Sequence, residues 1–271
     1  MKSIIRKWYK ELHFPEKYDG EFSALLDSFC ENESDPPNCG RDLITDKLTP
    51  QQKLLYALYL CEATAEKYKT LGIPEKTLYD TLADVVIWTN TYYSMFGKLG
   101  LVQTDWLYRH IDATIFKLGR LQFALATIKE PMKNHLGEVV IPEGEVIVEI
   151  HIPEGEPLLE SECRRSLENA DKFFAQYFPE CKWSYYTCHS WLLDEVLKSF
   201  VGPDSNIARF MGLFNIINKE PEDSALRYVF RRDANRENLD TFEAKSTLAK
   251  KIKEYVMAGG ELHAGIGYIK R

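Results

Sequence analysis

The sequence contains no run of apolar residues approaching the about 18 that a membrane-spanning helix needs, so a membrane is not an expected partner. Its opening residues, Met1-Lys-Ser-Ile-Ile-Arg-Lys-Trp8, lack the apolar core of a signal peptide. Positive charge is not in excess. Lys and Arg number 34 against 41 Asp and Glu, a formal charge of -7. Such a chain is repelled by phosphate backbones, and nucleic acid is not expected either. Cysteine is sparse: Cys30, Cys39, Cys61, Cys163, Cys181 and Cys188 are irregularly spaced, with no Cys-x-x-Cys pair. A disulfide framework is implausible at that density, and the expectation is reduced thiols in a cytoplasmic protein. Cys30 and Cys39 have no nearby His and lack metal-ligand spacing. Walker A, His-Glu-x-x-His and Gly-x-Ser-x-Gly motifs are missing, as are internal repeats and low-complexity tracts. Gly265 and Gly267 do not open a helix and are no dinucleotide fingerprint; they imply close packing in a final strand.

What is present is a chain that folds. Hydrophobic residues make up 45% of 271, with 15 Tyr and 14 Phe. That length suits two ordinary domains or one large one and buries roughly three quarters of the unfolded surface.

The first half has helical periodicity. Ile5, Trp8 and Leu12 form one short stripe, and Phe22, Leu25, Leu26 and Phe29 another. After a polar loop over 30–42, Thr49, Pro50 and Gln52 spell a capping box with Pro at the first helical position. Behind it Leu54, Leu58, Cys61, Ala65 and Tyr68 recur on one face up to Gly72. A second stripe, Leu78 to Phe96, stops at Gly97. A third, through Leu107, Ile111, Thr114 and Leu118, predicts a helix up to Gly119.

After Gly119 the period becomes two. Leu121, Phe123 and Leu125 alternate, and two short strands flank a turn at Pro142-Glu-Gly-Glu145. A helix is predicted over 160–178, a strand over 182–191, and a short helix over 195–200. Ser205 or Asn206 caps a segment running to Phe214. Residues 225–231 predict a strand, Thr247 to Ala258 a helix, and Leu262 to Ile269 the last strand. The fold class is therefore α+β: a helical domain over 1–118, then a mixed sheet flanked by helices over 119–271.

Specific strings narrow this. Gly119-Arg-Leu-Gln-Phe123, His151-Ile-Pro-Glu-Gly-Glu-Pro-Leu158, Cys188-His-Ser-Trp-Leu-Leu193 and Ser205-Asn-Ile207, followed by Phe210 and Phe214, stand in order. With the element order, they make the chain similar to bacterial acyltransferase-domain-containing proteins. Those pair a helical N-acyltransferase N-terminal domain with a GNAT-like C-terminal domain, and the resemblance covers nearly the whole chain. It implies transfer of an acyl group from a CoA thioester, acyl-CoA or acetyl-CoA as co-substrate, to a small-molecule amine or a peptide, without a metal. Backbone N–H groups of a strand and of the next helix's N-terminus then hold the cofactor, which nominates Ile152 and Gly155, with Arg164 and Arg165 in the first helical turn. Ordinary GNAT enzymes carry a Gly-rich loop there. Residues 153–162 have one Gly and four Glu, which repel a pyrophosphate unless they point away from it.

A base must take the amine proton. Glu149 and His151 share a face of one strand and are candidates, as is His189 on the next strand. Tyr186 or Cys188 is a candidate donor to the leaving thiolate. Cys188 and His189, being adjacent on a strand, point to opposite faces and cannot pair. Arg120, if buried, calls for a carboxylate partner. Arg227, Arg231, Arg232 and Arg236 form a basic cluster suited to a phosphate, an acidic substrate or a solvated edge. The competing reading is a non-catalytic GNAT-shaped module that binds a small ligand or peptide; a cupin-like barrel metal site is a minor third reading, because the second His it needs is missing.

Overall fold

The computed structural model describes residues 1–29, 36–230 and 233–271. Internal contacts divide the chain into two units, Met1–Leu118 and Gly119–Arg271.

The first unit is helical: α1 (Lys2–Glu11), α2 (Asp19–Ser28), α3 (Pro50–Leu71), α4 (Glu75–Phe96) and α5 (Thr104–Ile111), ending at the short strand β1 (Phe116–Lys117). The start of α3 follows its capping chemistry. Thr49 Oγ1 accepts from Gln52 N at 3.2 Å, and Gln52 Oε1 accepts from Thr49 N at 2.9 Å. Gly72 and Gly97 close α3 and α4 with φ of +69° and +65°, a conformation that costs a residue without a Cβ little. The stripes Leu54-Leu58-Cys61-Tyr68 and Leu78-Leu82-Val85-Tyr92 are buried where α3 meets α4. Between α4 and α5, Asp84 lies 3.2 Å from His110 Nε2 and accepts from Trp106 Nε1, also at 3.2 Å. The helix expected up to Leu118 is shorter. Ala113 takes φ +56°, and Thr114 N donates back to Arg109 O, which ends the helix at Ile111.

The second unit contains β2 (Gln122–Thr127), β3 (Met132–Lys133), β4 (Val139–Ile141), β5 (Val146–His151), α6 (Glu160–Tyr177), β6 (Tyr185–Ser190), α7 (Asn206–Met211), β7 (Asn215–Pro221), α8 (Ser224–Phe230), α9 (Thr247–Met257) and β8 (His263–Lys270). Its main sheet runs β2-β5-β6-β8-β7, with every pairing antiparallel except β5–β6. It is open rather than a barrel. The turn at 142–145 does not make a hairpin: β4 pairs with β3 in a separate sheet, and β5 pairs with β2. Gly144, at φ +82°, donates to Ile128 O and steers the chain from one sheet into the other.

Two further expectations change. Residues 225–231 were expected as a strand, but 224–230 form α8, and Arg231 lies outside the described residues along with Arg232. Ala225 and Leu226 are buried with Ile252 and Val256 of α9, while Val229 and Phe230 pack against the same cluster. That is a helical i, i+1, i+4, i+5 face. The segment expected to run to Phe214 ends as α7 at Met211, and residues 215–221 form β7, an edge strand of mostly polar residues held by β8.

The glycines of β8 are a packing requirement. A Cβ on Gly265 would lie 2.3 Å from the carbonyl oxygen of Leu193, and one on Gly267 would lie 3.0 Å from Phe214 Cβ. Gly265→Ala is expected to destabilise the protein by about 1–3 kcal/mol, because backbone rather than a flexible side chain must yield. Urea unfolding measures this, and a midpoint unchanged from the parent protein would contradict the close approach.

Candidate active site

The site is built where two strands part. β5 and β6 pair in parallel at Ile147↔Tyr185, Val148↔Tyr186 and Glu149↔Thr187, and the ladder stops there. Beyond that point β5 stays with β2 as far as Gln122↔His151, and β6 stays with β8 as far as Ser190↔Gly265. Ile150 and His151 therefore separate from Cys188, His189 and Ser190, and a wedge opens between the strand ends.

Paired residues share a face of a sheet and alternate residues return to it. Glu149, His151, Thr187 and His189 thus lie on one face. His151 Nε2 is 3.3 Å from Glu149 Oε2, and their side chains are 26% and 33% exposed. His189 Nε2 is 3.7 Å from Glu220 Oε2, a residue of β7, and both are well exposed. His151 and His189 thus stand on the two strands that part, each with a carboxylate beside it; Glu149 is on the same strand as His151, and Glu220 is on β7, on the far side of β8.

The opposite face is closed. Tyr186 donates to Asp171 Oδ1 of α6 at 2.8 Å, and Arg271 Nε lies 2.8 Å from the same oxygen. Burial first, and the Asp171 carboxylate second, push the Tyr186 hydroxyl well above its ordinary pKa. Cys188 is buried, and burial alone pushes its thiol up to about 12. Both keep their protons at neutral pH, on the face away from the two histidines.

The segment after β5 turns through Gly155, at φ +117°, and enters α6 without a side-chain cap, since Leu159 is the N-cap residue. The N–H groups of the first turn have no intrahelical acceptors and point out of the helix end. Ile152 and Gly155 lie in this segment, Gly155 exposed. Arg164 and Arg165 do not reach across it. Arg164 Nη2 lies 2.8 Å from Glu160 Oε1, and Arg165 Nη1 lies 3.3 Å from Glu162 Oε2, all on the flank of α6. These pairs neutralise two of the four glutamates that the sequence sets near the helix N-terminus.

Arg120 differs from expectation. It is buried, yet its side chain meets no carboxylate at ion-pair distance among the described residues; Nη1 donates to Pro153 O at 2.9 Å and Nε to Pro157 O at 3.2 Å. Arg236 forms a two-point pair with Asp223, at 2.7 and 2.8 Å, and donates to Gly260 O, so it belongs to the fold's own bonding. Glu220 was missed by sequence reasoning because β7 was not legible as a strand. Cys30 lies outside the described residues.

An open sheet with one splayed parallel pair, followed by a helix with a bare N-terminus, defines a GNAT-type fold. The family model of the GNAT-like C-terminal domain matches residues 115–269, and the chain belongs to that family. The N-acyltransferase N-terminal domain model matches residues 4–113. Among solved structures, the chain is similar to an acyltransferase in complex with decanoyl-CoA and teicoplanin, at 23% identity and a TM-score of 0.81, covering 98% of this chain and 87% of that one. An acyltransferase in complex with CoA and 10C-teicoplanin gives the same values, and one in complex with decanoyl-CoA gives 24% identity, a TM-score of 0.79 and coverage of 98% and 86%. These likenesses establish the shared fold. No curated protein matches the chain in sequence. Among the described residues, no helix is long and apolar enough to cross a membrane.

The thiols offer a direct check on the site's closed face. Iodoacetamide at pH 8 is expected to label Cys39 and Cys181, which are partly accessible, and to spare Cys61, Cys163 and Cys188, whose thiols burial pushes up. Peptide mass spectrometry reads the outcome, and rapid labelling of Cys188 would contradict its burial.

Proposed function

We propose that this chain is a CoA-dependent N-acyltransferase that moves an acyl group from a CoA thioester to a small-molecule amine. The observation that carries the reading is the wedge between β5 and β6, with an imidazole on each of the two strands, a carboxylate near each imidazole, and an uncapped N-terminus on the helix that follows β5.

In this reading the thioester lies across the wedge. Strand N–H groups freed near Ile152 bond the pantetheine amides, and the N–H groups at Gly155 and the α6 N-terminus meet the pyrophosphate. Arg164 and Arg165 contribute positive field there. Their exposed pairs with Glu160 and Glu162 are of the kind worth only about 0–1 kcal/mol, so a phosphate competes for them readily.

The amine nitrogen attacks the thioester carbonyl. An imidazole, His151 backed by Glu149 or His189 backed by Glu220, accepts the proton as the C–N bond forms. The C–S bond then breaks, and its electron pair leaves with CoA. An alkanethiolate, far less basic than an alkoxide, is a competent leaving group without an acid. It takes its proton from the imidazolium or from water, so neither Tyr186 nor Cys188 is required to reach it. A small-molecule acceptor is in keeping with the teicoplanin bound in one similar structure, and a long acyl donor with the decanoyl-CoA bound there.

The acidic loop favours a second reading, a module that binds a ligand without turnover. Glu156, exposed in this loop, is not among the glutamates that Arg164 and Arg165 neutralise.

Calorimetric titration with acetyl-CoA and decanoyl-CoA separates the two. Micromolar binding of either supports the transferase; no heat, with no thermal shift at millimolar CoA, would leave the ligand-binding module as the surviving reading. With an amine acceptor in hand, His151→Ala and His189→Ala are each expected to leave the acyl-CoA Kd within about threefold. The one that supplies the base lowers kcat by about 100-fold or more, the usual contribution of a general base.

A further inference from the structure

We propose that Arg120 is a positioning residue that holds the β5–α6 connection in the shape that receives acyl-CoA; this rests on the transferase reading above. Arg120 is 7% exposed, and its guanidinium bridges the two ends of one short segment: the carbonyl of Pro153, two residues after β5, and the carbonyl of Pro157, three residues before α6. Glu156, between them, contributes only a through-space attraction. A buried guanidinium is costly unless its donors are used. Here donors of one rigid fork are spent on drawing a loop closed.

The backbone of the same residue reaches the helix. Arg120 N donates to Ser166 Oγ at 2.8 Å, and Ser166 Oγ donates to Glu162 O at 2.9 Å. The residue before it permits that approach. Gly119 has φ +100°, and a Cβ there would stand 2.8 Å from Ser166 Oγ. The entry to β2, the exit of β5 and the first turns of α6 are thus tied through one residue. The groups that meet the thioester arm and the pyrophosphate lie on two elements joined by a loop with a glycine at its tip. Without the tie, binding would have to order that loop itself, and affinity would fall by the cost of the ordering.

Two variants separate the fork from the charge. Arg120→Lys keeps a cation but, as a single point donor, cannot span both carbonyls; Arg120→Met loses both. Amide hydrogen exchange on the ligand-free protein is expected to rise at residues 154–159 in both variants and to stay at the parent level in β6 and β8. The Kd of acetyl-CoA and of decanoyl-CoA, measured by calorimetry well below each variant's melting temperature, is expected to rise about tenfold in both, a factor worth about 1.4 kcal/mol. If Arg120→Met does not fold, Arg120→Lys carries the test. Loop exchange at the parent level would overturn the tie. Faster exchange with an unchanged Kd would show a stabilising residue only and overturn the positioning role. A Kd raised in Arg120→Met but normal in Arg120→Lys would assign the effect to charge, against the proposal. If the parent protein binds neither thioester, the transferase reading falls together with the affinity half, and exchange alone decides the tie.

Discussion

β5 and β6 each have two neighbours, and the candidate site depends on which one they keep. The parallel pairing between them spans three residue pairs, whereas the antiparallel pairing of β5 with β2 and of β6 with β8 spans six each. Adjacent strands rotate relative to each other as a sheet twists. Where two outer ladders hold more bonds than the inner one, the inner ladder gives way. The wedge thus follows from pairing, with no bulge, cis bond or inserted loop required.

Once the strands part, the two faces take different chemistry. On one side Tyr186 is bonded to α6 and Cys188 is buried, with a hydroxyl and a thiol held in their neutral forms by burial. On the other, His151 and His189 each have a carboxylate within reach and access to solvent. Alternation along a strand enforces this separation. The imidazoles lie on the accessible side, and the hydroxyl and thiol complete the packing.

The charge of the connection between β5 and α6 is reconciled in the same local way. Glu160 and Glu162, in the first turn of α6, favour the helix, because carboxylates complement the positive end of its dipole. For an incoming phosphate they are an obstacle. Pairing Glu160 with Arg164 and Glu162 with Arg165 along the helix flank keeps those two carboxylates near the N-terminus while reducing their net field; the two glutamates of the loop lie outside these pairs.

Local rules were enough for much of this. The Thr49-Pro50-Gln52 box, the stripes of α3 and α4, the Gly72 and Gly97 stops, the span of α6 and the candidate pair Glu149 and His151 are visible in residue spacing, because a helix repeats every 3.6 residues and a strand every two. Family strings then pointed to the α+β, GNAT-like class. Where β-prone residue types and helical spacing share one segment, residue type misled. Residues 225–230 are rich in β-prone Tyr, Val and Phe but carry a helical face, and packing on α9 selected the helix. The spacing to Leu118 fits a helix that Ala113 stops at Ile111. Residues 215–221 have too little apolar pattern to announce a strand and become one because β8 offers them an edge. That edge brings Glu220 to His189. Only long-range pairing decides where a sheet opens, and only tertiary contact gives the Arg120 guanidinium two carbonyls in place of a carboxylate. The sequence by itself determined which elements are cut, where most of them stop, and which residues carry titratable chemistry. Which of those residues meet was decided by the tertiary structure, because partners distant in the chain share no local period.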